Sequence, residues 1–180
     1  TGVGGGLVLD GAPVLGATGL AMEVGHLPLG DPEAVCDCGA RGCWDTVLGT
    51  RPLAGRLGAA DESAATVGAI IARGEPAHRL AFQAAAASLG RGLAGLINTV
   101  DPDVVTLGGI GPLLRSRSPG AFEESLTDGL MQCLREERPR IVVGELGADA
   151  ALIGAAEAAL DEVVRPAALA EWAARREPGR

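Results

Sequence analysis

Three observations predict an α/β fold class. Short aliphatic runs, such as Val104–Leu107 and Ile141–Val143, alternate with longer segments of helical period. Those longer segments bring apolar residues round every three or four positions, as Leu89, Leu93, Leu96, Ile97 and Val100 do. Glycines, 28 among 180 residues, are roughly twice as frequent as usual. They cluster between the apolar runs and form no repeat, which suits turns and tight loops.

The elements follow in order. Residues 1–15, "TGVGGGLVLDGAPVL", lead glycines into an apolar run, Leu7 to Leu9, and a second run, Pro13 to Leu15. Asp10-Gly11 between them predicts a hairpin, because the tight turn needs positive φ. Residues 16–50 read as irregular, and residues 62–73 predict a short helix. A longer helix is expected over 76–100, ended by Asp101-Pro102-Asp103. Residues 104–109 predict a short buried strand running into Gly108 and Gly109, and 120–135 another helix. A second strand is expected at 140–146, a helix at 148–164, and a helical tail from Pro166 that frays at "REPGR". No internal repeat and no clear linker divide the chain.

Charge and composition narrow the function. The net charge is −8, and an acidic surface repels a phosphate backbone. With two Trp, two Phe and no Tyr, the chain offers no platform for stacking single strands. No unbroken apolar run approaches the ~18 residues that cross a bilayer. No membrane partner is therefore expected, and the cytoplasm is the expected compartment. No signal peptide is visible; the chain opens inside a motif, so a further N-terminal portion is expected before Thr1.

Three of the four cysteines and one of the two histidines fall within "EVGHLPLGDPEAVCDCGARGC", residues 23–43. Cys36, Cys38 and Cys43 follow C-x-C-x₄-C, and zinc takes four N or S ligands in a tetrahedron. His26, ten residues upstream, completes the set across a segment with Gly and Pro to loop back. Gly39 and Gly42 supply the tight backbone that such close ligands need. A disulfide with one free thiol is the alternative, although a bridge between Cys36 and Cys38 would be strained. Three thiolates and an imidazole leave no open position, so the expected zinc is structural. Glu23, His26 and Asp45 flank it and are candidates to bind sugar hydroxyls, since carboxylates and imidazole accept several hydrogen bonds. If one nitrogen of His26 holds zinc, the other can face a ligand. A solvated acidic surface is the alternative, most of all for Asp45. Cys133 reads as a buried free thiol and His78 as a surface residue.

Two glycine segments are candidate phosphate cradles. In "TGVGGG", Gly2 and Gly4 fit the start of a dinucleotide fingerprint, but Leu7 stands where its third glycine belongs and a hairpin follows where a helix should. Consecutive backbone N–H groups there can still hold a phosphate, or the segment is a plain turn. In "VVTLGGIG", Gly108 and Gly109 end a strand where α/β sheets admit ligands, and a plain strand–helix turn is equally open.

Together these segments resemble the ROK family of repressors, open reading frames and sugar kinases. "TGVGGGLVLDG" resembles its second phosphate loop and hairpin. "EVGHLPLGDPEAVCDCGARGC" resembles its E-x-G-H element followed by C-x-C-G-x-x-G-C, the most specific of these matches. "LGRGLAGLINTVDPDVVTLGG" resembles its helix, DP turn and adenosine-side glycines, and "ALIGAAEAAL" its closing helix. The resemblance implies an actin-like, hexokinase-like (ribonuclease H-like) ATPase fold, of which residues 1–180 form the C-terminal lobe and 20–50 the zinc and sugar element. It implies zinc on His26, Cys36, Cys38 and Cys43, and sugar contacts from Glu23 and His26. The family's third sugar-contacting residue is a Glu where this chain has the shorter Asp45, which implies a weakened contact or a retuned pocket.

Family kinases also carry a D-x-G-x-T phosphate motif and a catalytic Asp beside an Asn, upstream of the second phosphate loop. Neither stands in this sequence, so no catalytic residue is assigned and the chain alone is not expected to transfer phosphate. "GCWDTVLGT" resembles the "GCWET-x-x-G" of actinobacterial regulators, where kinases more often show "GCLE". The expected parent is a transcriptional regulator that binds a monosaccharide here and DNA only through a domain outside this chain. A glucokinase-like sugar kinase, using ATP and Mg, is the alternative. The family usually associates through this region, so a homo-oligomer is expected.

Overall fold

The structure is a computed structural model that describes residues 2–176. Two compact units divide it, the first running to Val142 and the second starting at Val143.

In the first unit, the glycine segment leads into a hairpin of β1 (Val8–Leu9) and β2 (Ala12–Pro13), antiparallel, with Val8 opposite Pro13. Asp10 and Gly11 both take positive φ, 51° and 79°, the two-residue turn expected from their sequence. A long connection follows, holding a single 3₁₀ turn at Val24–His26. Then come α1 (Asp45–Leu48), α2 (Thr50–Leu57), α3 (Ala64–Arg73) and the long α4 (Arg79–Val100), which a 3₁₀ turn at Pro76–His78 precedes. Next are β3 (Val104–Leu107), α5 (Gly111–Arg117), α6 (Pro119–Gly129), α7 (Gln132–Glu136) and β4 (Arg140–Val143), which pairs with β3.

The core gathers round α4. Phe82, Ala85, Ala86, Leu89, Leu93, Ala94 and Ile97 are buried on it and meet Trp44, Leu53, Val67, Ile71, Leu114, Phe122 and Leu126. Alanine fills much of this surface, so α6 packs closely along α4. Residues 76–100 are long and apolar enough to cross a membrane by composition, although Arg79 and Arg91 interrupt them. Of its most apolar 18-residue window, 56% is buried inside the fold, which makes it a core helix.

Several boundaries differ from expectation. The helix expected over 120–135 breaks after Gly129, where Leu130 turns extended and buries its side chain. The Asn98 amide spans the break, donating to the Gly129 carbonyl at 2.8 Å and accepting from Met131 N–H at 3.1 Å. A tertiary hydrogen bond of this kind leaves no local signature. The strand expected to be buried at 104–109 has only Leu107 buried, with Val104 and Thr106 exposed. Cys133 is exposed, not buried, because α7 is a short surface turn with no buried residue. His78 is half-buried, its ring edge-on to Phe82 with Nδ1 shut away from solvent and unpaired.

The second unit holds a 3₁₀ turn at Gly147–Asp149, α8 (Ala150–Val164) and α9 (Pro166–Arg176). Arg165 takes extended φ/ψ between the helices, as the residue before a proline tends to. The end of the expected fraying, 177–180, lies outside the described residues.

Candidate functional site: a Cys3His knuckle beside a glycine-lined cleft

The knuckle is built by backbone hydrogen bonds. Cys36 N–H donates to the Ala40 carbonyl at 2.8 Å, and Gly39 N–H returns to the Cys36 carbonyl at 2.9 Å. Val35 and Arg41 pair across this turn as an antiparallel bridge. Gly39 and Gly42 take φ of 90° and 72°, conformations that admit glycine readily and fold Cys36, Cys38 and Cys43 onto one point. The upstream limb is held by Gly30 N–H to the Gly42 carbonyl and Trp44 N–H to the Leu27 carbonyl, both 2.8 Å. This brings His26, at the end of its 3₁₀ turn, against the thiols.

His26, Cys36, Cys38 and Cys43 each present one donor atom, all within 4.8 Å of one another. His26 Nδ1 lies 3.8 Å from Cys36 Sγ, and the Cys38 and Cys43 sulfurs are 3.6 Å apart. The three cysteines are free thiols. Zn–S bonds of about 2.3 Å in a tetrahedron place sulfurs roughly 3.7 Å apart, so the donor set fits zinc in number, type and spacing. Electrostatics agree. A backbone hydrogen bond from Ala40 holds the Cys38 thiol below its ordinary value. Burial, reinforced by Cys38 and Cys36, pushes Cys43 up to about 12. Three thiols so close resist joint ionisation unless a cation compensates.

Of the sugar candidates, Glu23 begins the 3₁₀ turn that ends on His26, and both are exposed. The Nδ1 edge of His26 faces the thiols, so its other nitrogen points away from them. Asp45 opens α1, and its Oδ1 accepts from the Val3 backbone N–H. Val3 belongs to the glycine segment, an attachment the sequence does not reveal.

Gly2, Gly4, Gly108 and Gly109 all line one cleft of about 920 Å3, floored by Leu89, Leu93 and Ile97 of α4. Both glycine segments thus reach the same space although about a hundred residues separate them. Trp44 also borders it, so the cleft adjoins the residue that follows the last cysteine. Sequence reasoning missed Trp44. It is buried, and its Nε1–H donates to Ser88 Oγ at 2.9 Å.

The ROK family profile matches residues 1–162. The chain belongs to the ROK family. Over 112 residues it is 40% identical to an N-acetylmannosamine kinase of Yersinia pestis (strain Pestoides F), covering 61% of this chain and 38% of that protein. This ROK chain therefore spans well under half of that relative's length. Its fold resembles a ROK glucokinase from Streptomyces griseus solved with glucose and AMPPNP, with TM-score 0.70 and 28% identity over 87% of this chain and 57% of that one. It also resembles a ROK transcriptional regulator homologous to the E. coli MLC protein, with TM-score 0.61 and 26% identity over 79% of this chain and 39% of that one. The solved proteins it resembles have the hexokinase-like, actin-like fold, and the mixed α/β content of this chain agrees with the expected class. Repressor and sugar kinase both stand among the similar proteins.

Proposed function

We propose that this chain is the sugar-sensing and oligomerising region of a ROK transcriptional regulator, binding a monosaccharide beside a structural zinc. Nδ1 of His26 and the thiolates of Cys36, Cys38 and Cys43 would hold the metal, which supplies structural clamping and no open coordination position. The observation that carries the reading is one 3₁₀ turn with Glu23 at its start and His26, its Nδ1 turned to the thiols, at its end. Glu23 and the outer nitrogen of His26 bind sugar hydroxyls, and Asp45, shorter than the family's Glu and engaged by the Val3 amide, supplies a weakened third contact. Residues 20–50 are the site element, and a separate domain meets DNA in the cytoplasm.

Kinase activity is the second reading, favoured by the shared cleft of Gly2, Gly4, Gly108 and Gly109 and by the likeness to a glucokinase. ATP and Mg would then occupy that cleft. The test uses the full-length, zinc-loaded protein with glucose, N-acetylglucosamine and N-acetylmannosamine. A rise in melting temperature with one sugar, abolished by Glu23→Gln and accompanied by no phosphorylation with ATP and Mg, supports the sensor. Sugar phosphate formation establishes the kinase, and no response to any of these sugars overturns the sugar site.

A further inference from the structure

Cys43, Trp44 and Asp45 are consecutive, and each side chain holds a different part of the molecule. Cys43 belongs to the four-donor cluster, and Trp44 is clamped on α4 through Ser88. The Asp45 carboxylate reaches the other way and accepts the Val3 amide. Two glycines make room for it. A β-carbon on Gly2 would lie 2.6 Å from Asp45 Oδ2, and one on Gly25 would lie 2.8 Å from Oδ1 and against the Val3 carbonyl. Gly25 sits between Glu23 and His26 in the 3₁₀ turn. Three segments therefore converge on one carboxylate: the glycine segment lining the cleft, the turn carrying the sugar candidates, and the end of the knuckle.

We propose that Asp45 is a positioning residue that latches the glycine segment to the metal knuckle, so that an ordered knuckle fixes the backbone N–H groups on the cleft wall. The proposal rests on the zinc reading above. Metal fixes Cys43, the rigid Cys43–Trp44–Asp45 run fixes the carboxylate, and the carboxylate fixes Val3. The shorter side chain suits this duty, because glycine backbone closes on it from two sides.

Amide hydrogen exchange of Val3 and its flanking glycines, followed by NMR in the full-length, zinc-loaded protein, tests it. Asp45→Ala speeds Val3 exchange about tenfold or more, the weight of one charge-assisted hydrogen bond, while zinc content and buried-indole fluorescence stay unchanged. Asp45→Asn, which keeps an acceptor oxygen, restores most of the protection. Removing zinc by chelation speeds Val3 exchange in the unaltered protein and adds nothing further in Asp45→Ala. Unchanged Val3 exchange in Asp45→Ala overturns the proposal, as does indifference to chelation in a protein shown to hold zinc. If the protein holds no zinc, the zinc reading and its link to Val3 fall together, and the Asp45→Ala result alone decides whether the latch exists.

Discussion

At Gly92 of α4, a β-carbon would run into the Trp44 indole, with Cε2 2.6 Å away. Gly92→Ala therefore forces the indole to move in a core with no slack. It should cost about 1–3 kcal/mol, the usual range for overpacking, read as a lower denaturation midpoint in urea. Ser88→Ala tests the same contact from its polar side. It leaves a buried indole N–H without its acceptor, at about 1–3 kcal/mol, with no change of volume to repack. Cys36→Ser probes the knuckle directly. A hydroxyl is a poor zinc ligand, so bound zinc should fall well below one per chain by metal analysis, and the protein should melt earlier because structural zinc contributes folding free energy.

Among the elements, α3 has the most explicit start. Ser63 Oγ accepts from Thr66 N–H at 3.1 Å, while Asp61 accepts from Ser63 N–H at 2.8 Å and from the Thr66 hydroxyl at 2.9 Å. The Ser63 and Thr66 hydrogen bonds hold the Asp61 carboxyl below its ordinary value of 3.8. A carboxyl depressed in the folded state stabilises it above that ordinary value and loses the contribution as pH falls below it. Amides at the start of α3 should therefore lose exchange protection as pH falls below about 3.8, and Asp61→Asn should flatten that dependence. A start of this kind is local, which explains why the helix expected from 62 begins at Ala64. The Asp10-Gly11 turn and the α4 stripe were legible for the same reason, since turn chemistry and period lie within a few neighbours. The missed elements are those that tertiary contacts create. α2 (Thr50–Leu57) carries Gly and Pro inside its eight residues and gains its place by burying Leu53 and Leu57. The break at Leu130 depends on Asn98, some thirty residues away. The cysteine cluster was legible because its spacing is itself a metal-ligand pattern. The attachment of Asp45 to Val3 was not, because it joins positions 42 residues apart.

Across the first unit, the knuckle and the helical core meet at Trp44 and at Val24, in the turn that carries His26. Trp44 is 1% exposed and belongs to the core cluster, yet it directly follows the zinc candidate Cys43. The chain has one other tryptophan, Trp172, which is 56% exposed. In a Trp172→Phe protein, indole emission therefore reports the knuckle–core junction alone. The α4 and α6 packing does not depend on the thiols, because Phe82, Ala85, Leu89 and Leu93 meet Phe122 and Leu126 without them. Chelation should consequently shift Trp44 emission to longer wavelength and weaken its near-UV circular dichroism, while far-UV helical signal changes little. Trypsin offers an independent reading at Arg41, an exposed side chain whose guanidinium donates to the Glu33 carbonyl at 2.9 Å within the knuckle. Cleavage there should be slow with zinc and fast without it, leaving the α4–α6 core intact as a resistant fragment. Zinc released with unchanged Trp44 emission and unchanged cleavage at Arg41 would mean that backbone hydrogen bonds alone hold the knuckle on the core. Loss of helical signal together with the metal would instead make zinc a condition for folding the whole unit, as in small domains that are unfolded without their metal.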